Sequence, residues 1–160
     1  MIDDEVRAAA ANLLDICRKE GLMVATVESC TGGLVIGSLT EIAGSSTVVD
    51  RGFVTYTNEA KNEMVGVPME LFRSAGAVSE DVARAMAEGG IAHSSADIAV
   101  GITGVAGPSQ SENKPAGLVH ICATRRSGDV LHERCMIDGD RSAVRKASVL
   151  KAFEMILNLV

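Results

Sequence analysis

Val6, Ala9, Ala10, Leu13 and Cys17 recur at the three- and four-residue spacing of one helix face. The pattern predicts a first helix from an Asp3 or Asp4 cap to about Glu20, stopped by Gly21. Apolar spacing then tightens to the β-branched run 23–28, MVATVE, short enough for a buried strand. Small residues, Ser29-Cys30-Thr31-Gly32-Gly33, break it. Leu34, Val35, Ile36, Leu39 and Ile42 next predict a helix, ended by Gly44-Ser45-Ser46.

A second strand is expected over 52–57, GFVTYT, followed by a short helix capped by Asn58 and running to Val65. Val67-Pro68 marks a boundary. Ser79, with Glu80 and Asp81 in the first turn, opens a helix ending near His93–Ser95. The run 97–103, DIAVGIT, is apolar on both faces, as a central parallel strand is. A polar Gly/Pro loop fills 104–115, of a length that usually has a function. Strands 117–124 and 130–137 around Arg125–Asp129 predict a hairpin, and a last helix opens at Asp138 or Asp140. Val149, Phe153, Ile156, Leu157 and Val160 give that helix its apolar stripe. The order predicts an α/β fold: three layers, α/β/α, with a mixed, mostly parallel sheet and an antiparallel C-terminal hairpin. No linker or repeat divides the chain, so one domain over 1–160 is expected.

Composition narrows the partners. The 160 residues carry 15 Lys+Arg against 21 Asp+Glu, a net charge of -6, and four aromatics, three Phe and one Tyr. A protein that neutralises many phosphates or stacks bases needs the opposite balance, so no nucleic acid is expected as partner. No apolar run reaches the roughly 20 residues of a membrane span, and the acidic N-terminus lacks a basic leader, so neither membrane nor export is expected. Cys17, Cys30, Cys122 and Cys135 show no C-x-x-C spacing and read as reduced, buried thiols of a cytoplasmic protein. No His/Cys/Asp cluster has metal-ligand spacing, and no metal or cofactor is expected.

Ligands of such sheets gather beyond the carboxyl ends of the strands, where Glu28–Gly33, Tyr56–Lys61 and Thr103–Pro108 fall. The turn 28–33 leads a strand into a helix and exposes amides that hold a phosphate or an oxyanion. The same turn is equally explained by a Thr31 cap and glycines that let helix and sheet pack closely. Histidines 93, 120 and 132 lie on a helix end and in the hairpin, so a Ser–His–Asp triad has little support. A neutral lysine is the other base known for hydroxyl nucleophiles, and Lys61 stands one helical turn past the second strand. Taken alone, Lys61 reads as a solvated surface lysine. Tyr56, the sole tyrosine, could relay a proton or orient a carbonyl at that strand's end. The loop Gly101–Pro108 matches neither a Walker loop nor G-x-G-x-x-G opening a helix. Arg141, with Arg145 a turn later, could hold a phosphate or carboxylate, or simply pair with Asp138 and Asp140.

The blocks V-E-S-C-T-G-G and R-G-F-V-T-Y-T-N-E-A-K, the loop GITGVAGP, the KPAG segment and the GDR tripeptide together resemble the CinA C-terminal family. Members include stand-alone amidohydrolases that deamidate nicotinamide mononucleotide, and domains fused behind a metal-dependent pyrophosphatase absent here. The resemblance implies a Ser–Lys amidohydrolase with Ser29 as nucleophile, Lys61 as general base and Tyr56 assisting, and a homo-oligomer. Cys30, Thr31, Gly32, Gly33, Thr103, Gly104, Gly107 and Arg141 are the expected substrate contacts. Cys30 is the second candidate nucleophile, and a non-catalytic competence- or damage-associated module is the alternative function. The family often continues past Gly107-Pro108 with an acidic residue and glycines. Here Ser109-Gln110-Ser111-Glu112-Asn113 precede Lys114-Pro115, so substrate identity is less secure than the nucleophile.

Overall fold

A computed structural model describes residues 2–160. Helix α1 (Asp4–Glu20) is capped by the Asp3 carboxylate and closed by Gly21 at φ 67. Strand β1 (Val24–Glu28) follows, then α2 (Leu34–Thr40), a 3-10 turn over Ser45–Thr47, and β2 (Val49–Val54). The chain continues through α3 (Asn58–Val65), α4 (Met69–Ser74), α5 (Glu80–Ala92) and β3 (Ile98–Gly104). It ends with the hairpin β4 (Leu118–Arg125) and β5 (Val130–Met136) and with α6 (Arg141–Leu157), which Asp140 caps.

The sheet order is β2-β1-β3-β4-β5. Both β2 and β3 pair parallel to β1, and β4 pairs antiparallel with β3 and β5. Only β4 therefore runs against the other four, and the sheet is mixed, mostly parallel and ended by an antiparallel hairpin. Alternation along the strands makes two cores. Val24, Ile98, Val100, Val119 and Ile121 face α1, α2 and α6, while Val27 packs with Val82 and Met86 of α5. Gly101 lets α5 lie close, because a Cβ there would stand 2.5 Å from the Ala83 carbonyl oxygen.

Two boundaries and one helix depart from the pattern. The second strand spans 49–54 rather than 52–57: it is an edge strand of intermediate and exposed residues, whose polar Asp50-Arg51 hid its start. Thr57 rather than Asn58 caps α3, accepting from the Ala60 amide at 3.0 Å. Helix α4 was not foreseen, since its six residues have no side-chain cap and no fully buried face.

The topology fixes where a site forms. The β1–α2–β2 crossover covers one face of the sheet, whereas the chain from β2 to β3 crosses the other face through α5. The two crossovers diverge at the carboxyl end of β1, the switch point of the sheet. Ser29 is the first residue past that point.

Candidate active site

Glu28, the last residue of β1, organises the switch point. Its carboxylate is fully buried and accepts four hydrogen bonds. The donors are the amides of Gly33 (3.0 Å), Val35 (3.0 Å) and Ile36 (2.9 Å) and the Thr26 hydroxyl (3.1 Å). An internal carboxylate thus fills the positive end of α2, where the sequence offered a phosphate a place. The turn is closed further by the Gly32 amide on the Ser29 carbonyl at 3.0 Å. Glycines 32 and 33 hold φ of 58 and 92, values that side chains rarely adopt.

Ser29 is held by its amide on the Ile102 carbonyl, 3.0 Å away. Its hydroxyl lies 3.0 Å from Lys61 Nζ. Helix α3 carries Lys61, and the lysine is only 1% exposed. Nζ has one further contact, the Tyr56 carbonyl at 3.4 Å, and no ion pair with a carboxylate among the described residues. Burial holds its pKa below the ordinary lysine value, against weak attraction from Cys30, Glu112 and Glu59. An uncompensated ammonium in such a place is costly, which favours the neutral amine. Cys30 lies beside Ser29 but belongs to the core, and burial pushes its thiol up to about 12. A thiol of that kind is not ionised near neutrality.

A cavity of about 320 Å³ opens over this pair. Ser29 and Cys30 line it from the end of β1, Tyr56 and Lys61 from beyond β2. Thr103, Gly104 and Gly107 line it from the end of β3, and Arg141 from α6. Of the expected substrate contacts, Thr31, Gly32 and Gly33 stay outside the cavity lining: Thr31 is fully buried, and the Gly33 amide is bound to Glu28. Past Ser29, Cys30 is the residue of the turn that lines the cavity.

Tyr56 is 60% exposed, and its phenol meets Arg141 Nη2 at 3.4 Å rather than Ser29 or Lys61. What Tyr56 offers the lysine is its backbone carbonyl. Arg141 also donates to the Gly107 carbonyl at 2.7 Å and forms no ion pair with Asp138 or Asp140 among the described residues. Arg145 donates to the Thr31 carbonyl at 2.8 Å and bolts α6 to the turn. Ser109, Ser111 and Glu112, from the loop where the chain departs from the family pattern, also line the cavity, with Ala77 and Val78, which the sequence pattern did not single out. Among the described residues no group of three or more His, Cys, Asp or Glu is placed to hold a metal ion.

Fold and site together define a three-layer α/β/α protein with a buried serine–lysine pair at the switch point of its sheet. The model of the CinA C-terminal domain matches residues 6–160, and the chain belongs to that family. It is 42% identical over 157 residues to the nicotinamide-nucleotide amidohydrolase PncC of Escherichia coli K12, covering 98% of this chain and 95% of the relative. It is 44% identical to a CinA-like protein of Mycobacterium sp. strain JLS, but spans only 35% of that longer relative. Among solved structures, the competence/damage inducible protein CihA of Agrobacterium tumefaciens superposes with a TM-score of 0.95. That structure is 48% identical, with 99% of this chain and 98% of that one covered. Among the described residues, no helix is long and apolar enough to cross a membrane.

Proposed function

We propose that the chain is an amidohydrolase that converts nicotinamide mononucleotide to nicotinate mononucleotide and ammonia, with Ser29 as nucleophile and Lys61 as base. The observation that carries this reading is the 3.0 Å contact between Ser29 Oγ and a buried Lys61 Nζ with no carboxylate partner. Its substrate comes from the relative's name, since PncC of Escherichia coli is called a nicotinamide-nucleotide amidohydrolase.

The neutral Lys61 amine takes the Ser29 proton as Oγ attacks the carboxamide carbon. The Cys30 amide donates to the oxyanion that forms. The new ammonium passes its proton to the departing nitrogen, the C–N bond breaks, and ammonia leaves an acyl ester on Ser29. Water, deprotonated by the regenerated amine, cleaves that ester and frees the acid. Arg141 supplies the charge for the substrate phosphate, and the Tyr56 phenol, bound to Arg141, belongs to that end of the cavity. The scheme draws only on side chains, backbone amides and water. We read residues 1–160 as one such domain, cytoplasmic and homo-oligomeric, with a small molecule rather than nucleic acid or membrane as its partner.

Incubation with nicotinamide mononucleotide tests the reading. Ammonia release by the unmodified protein, lost by at least a thousandfold in a folded S29A variant, is the expected result. Release that survives S29A sinks the assignment, as does a folded unmodified protein that never turns over.

A further inference from the structure

Part of the cavity wall is built by a latch. Residues Ser111 and Lys114 bridge each other as a small antiparallel turn, with Glu112 and Asn113 at φ of 53 and 58 between them. Left-handed backbone at two successive non-glycine residues is uncommon and needs support from its surroundings. Here Glu112 folds back onto the segment between α4 and α5, accepting from the amides of Ala77 (3.0 Å) and Val78 (3.2 Å). Lys114 Nζ donates to the Ala75 carbonyl at 3.1 Å and to the Val78 carbonyl, and lies 3.7 Å from the Glu112 carboxylate. Thr103 ties down the same segment through the Ala77 carbonyl at 2.7 Å. Gly76 holds φ 83, which side chains rarely adopt, and a Cβ there would stand 2.9 Å from the Glu112 carboxylate and Lys114 Nζ and displace them.

The result is a carboxylate fixed in direction on the cavity wall. Lys114 offsets its charge, so what Glu112 offers a ligand is hydrogen-bond acceptance. An ionised carboxylate accepts about two bonds per oxygen and donates none. Oε1 receives a single amide from the protein, so it keeps acceptor capacity, and Glu112 lines the cavity. Ser109 and Ser111 place hydroxyls on the same wall. The Glu112 carboxylate welcomes hydroxyl donors and offers no donor to a phosphate or carboxylate, which Arg141 on the same cavity does. A phosphorylated ribosyl compound has that polarity, an anionic end and a pair of vicinal hydroxyls.

We propose that Glu112, assisted by Ser109 and Ser111, is the specificity-determining acceptor for the vicinal sugar hydroxyls of the substrate. The proposal rests on the nucleotide reading above and adds a subsite to it. Calorimetric binding of nicotinamide mononucleotide and its 2′,3′-dideoxy analogue to the full chain tests it, for the unmodified protein, E112A and E112Q. The unmodified protein should bind the ribosyl compound about tenfold more tightly or better, as expected for a hydrogen bond to a charged group. E112A should bring the two affinities within about twofold. E112Q, which keeps one acceptor oxygen, should fall between them and stands in if E112A fails to fold.

A preference that survives in the variants overturns the proposal, and so does an unmodified protein with no preference. An equal loss for both compounds, the mark of a charge acting on the pyridinium ring, also overturns it. Binding that discriminates without ammonia release supports the subsite while sinking the amidase. Ammonia release without discrimination sinks the subsite alone.

Discussion

Glu28 can be removed with almost no change of shape by E28Q, and the structure sets what that costs. Both carboxylate oxygens are fully buried acceptors: Oε2 takes the amides of Gly33 and Val35, and Oε1 takes the Ile36 amide and the Thr26 hydroxyl. A glutamine presents one oxygen and one NH2 group, so whichever way it lies at least one backbone amide faces another donor: Ile36 in one orientation, Gly33 and Val35 in the other. A hydrogen bond to a charged group contributes about 1.5–3 kcal/mol, and a stranded buried donor costs about 1–3 kcal/mol. Such contributions are not additive within one cluster, so a net loss of roughly 3 kcal/mol is expected for E28Q, and somewhat more for E28A. Against a typical total of about 5–15 kcal/mol that is a large fraction. It corresponds to a fall of roughly 6–12 °C in Tm for a chain of this size. Urea denaturation with a common slope gives the free energy directly. In the folded fraction, loss of turnover should fall on kcat, because the turn from Ser29 into α2 is what the Glu28 carboxylate orders. E28Q within 0.5 kcal/mol of the unmodified protein would refute the claim that this carboxylate holds the turn.

Two further predictions follow from buried groups. K61M should abolish ammonia release yet raise the urea midpoint, because it replaces a desolvated amine with an apolar chain of similar length; a lowered midpoint contradicts the account. His120 packs on His132 with ring centroids 5.2 Å apart and Nδ1 3.0 Å from the partner's Nε2, and His132 lies 3.5 Å from a Glu80 carboxylate oxygen. Burial first, then the charges of His132, Arg134 and Lys114, push His120 down to about 4, against attraction from Glu80. Its folded pKa is below its unfolded value near 6.5, so the unfolded chain binds the proton first as pH falls. Stability is therefore intact above about 6.5 and declines toward pH 4, by at most about 3 kcal/mol. H120Q should flatten that decline, and an unchanged pH–stability curve would refute it.

Periodicity and turn chemistry made most of the fold legible. Asp3, Ser79 and Gly21 mark helix ends by local hydrogen bonds and by a left-handed φ, and local signals survive in a sequence. Helix α4 escaped because six residues make little periodicity and its start lacks a side-chain cap. At the site, Ser29 and Lys61 were legible from their placement after parallel strands, and family resemblance gave them roles. Glu28 was visible only as the start of a motif, since its role depends on a carboxylate turning back onto the next helix. Glu112 was equally hidden, because its partners are the amides of Ala77 and Val78, some 35 residues away and joined only by the fold. Tyr56 shows the converse: the residue was legible, but not that its carbonyl faces the lysine while its phenol faces Arg141.

The central claim is that Lys61 is a neutral base for Ser29. A titration of lysine side chains by NMR, with K61M identifying the resonance, tests it most directly. Lys61 is predicted to lose its proton below the ordinary value of 10.5, with kcat/KM rising through the same pH range. A Lys61 that stays protonated to 10.5 or beyond, in a protein already active at neutral pH, would contradict the account.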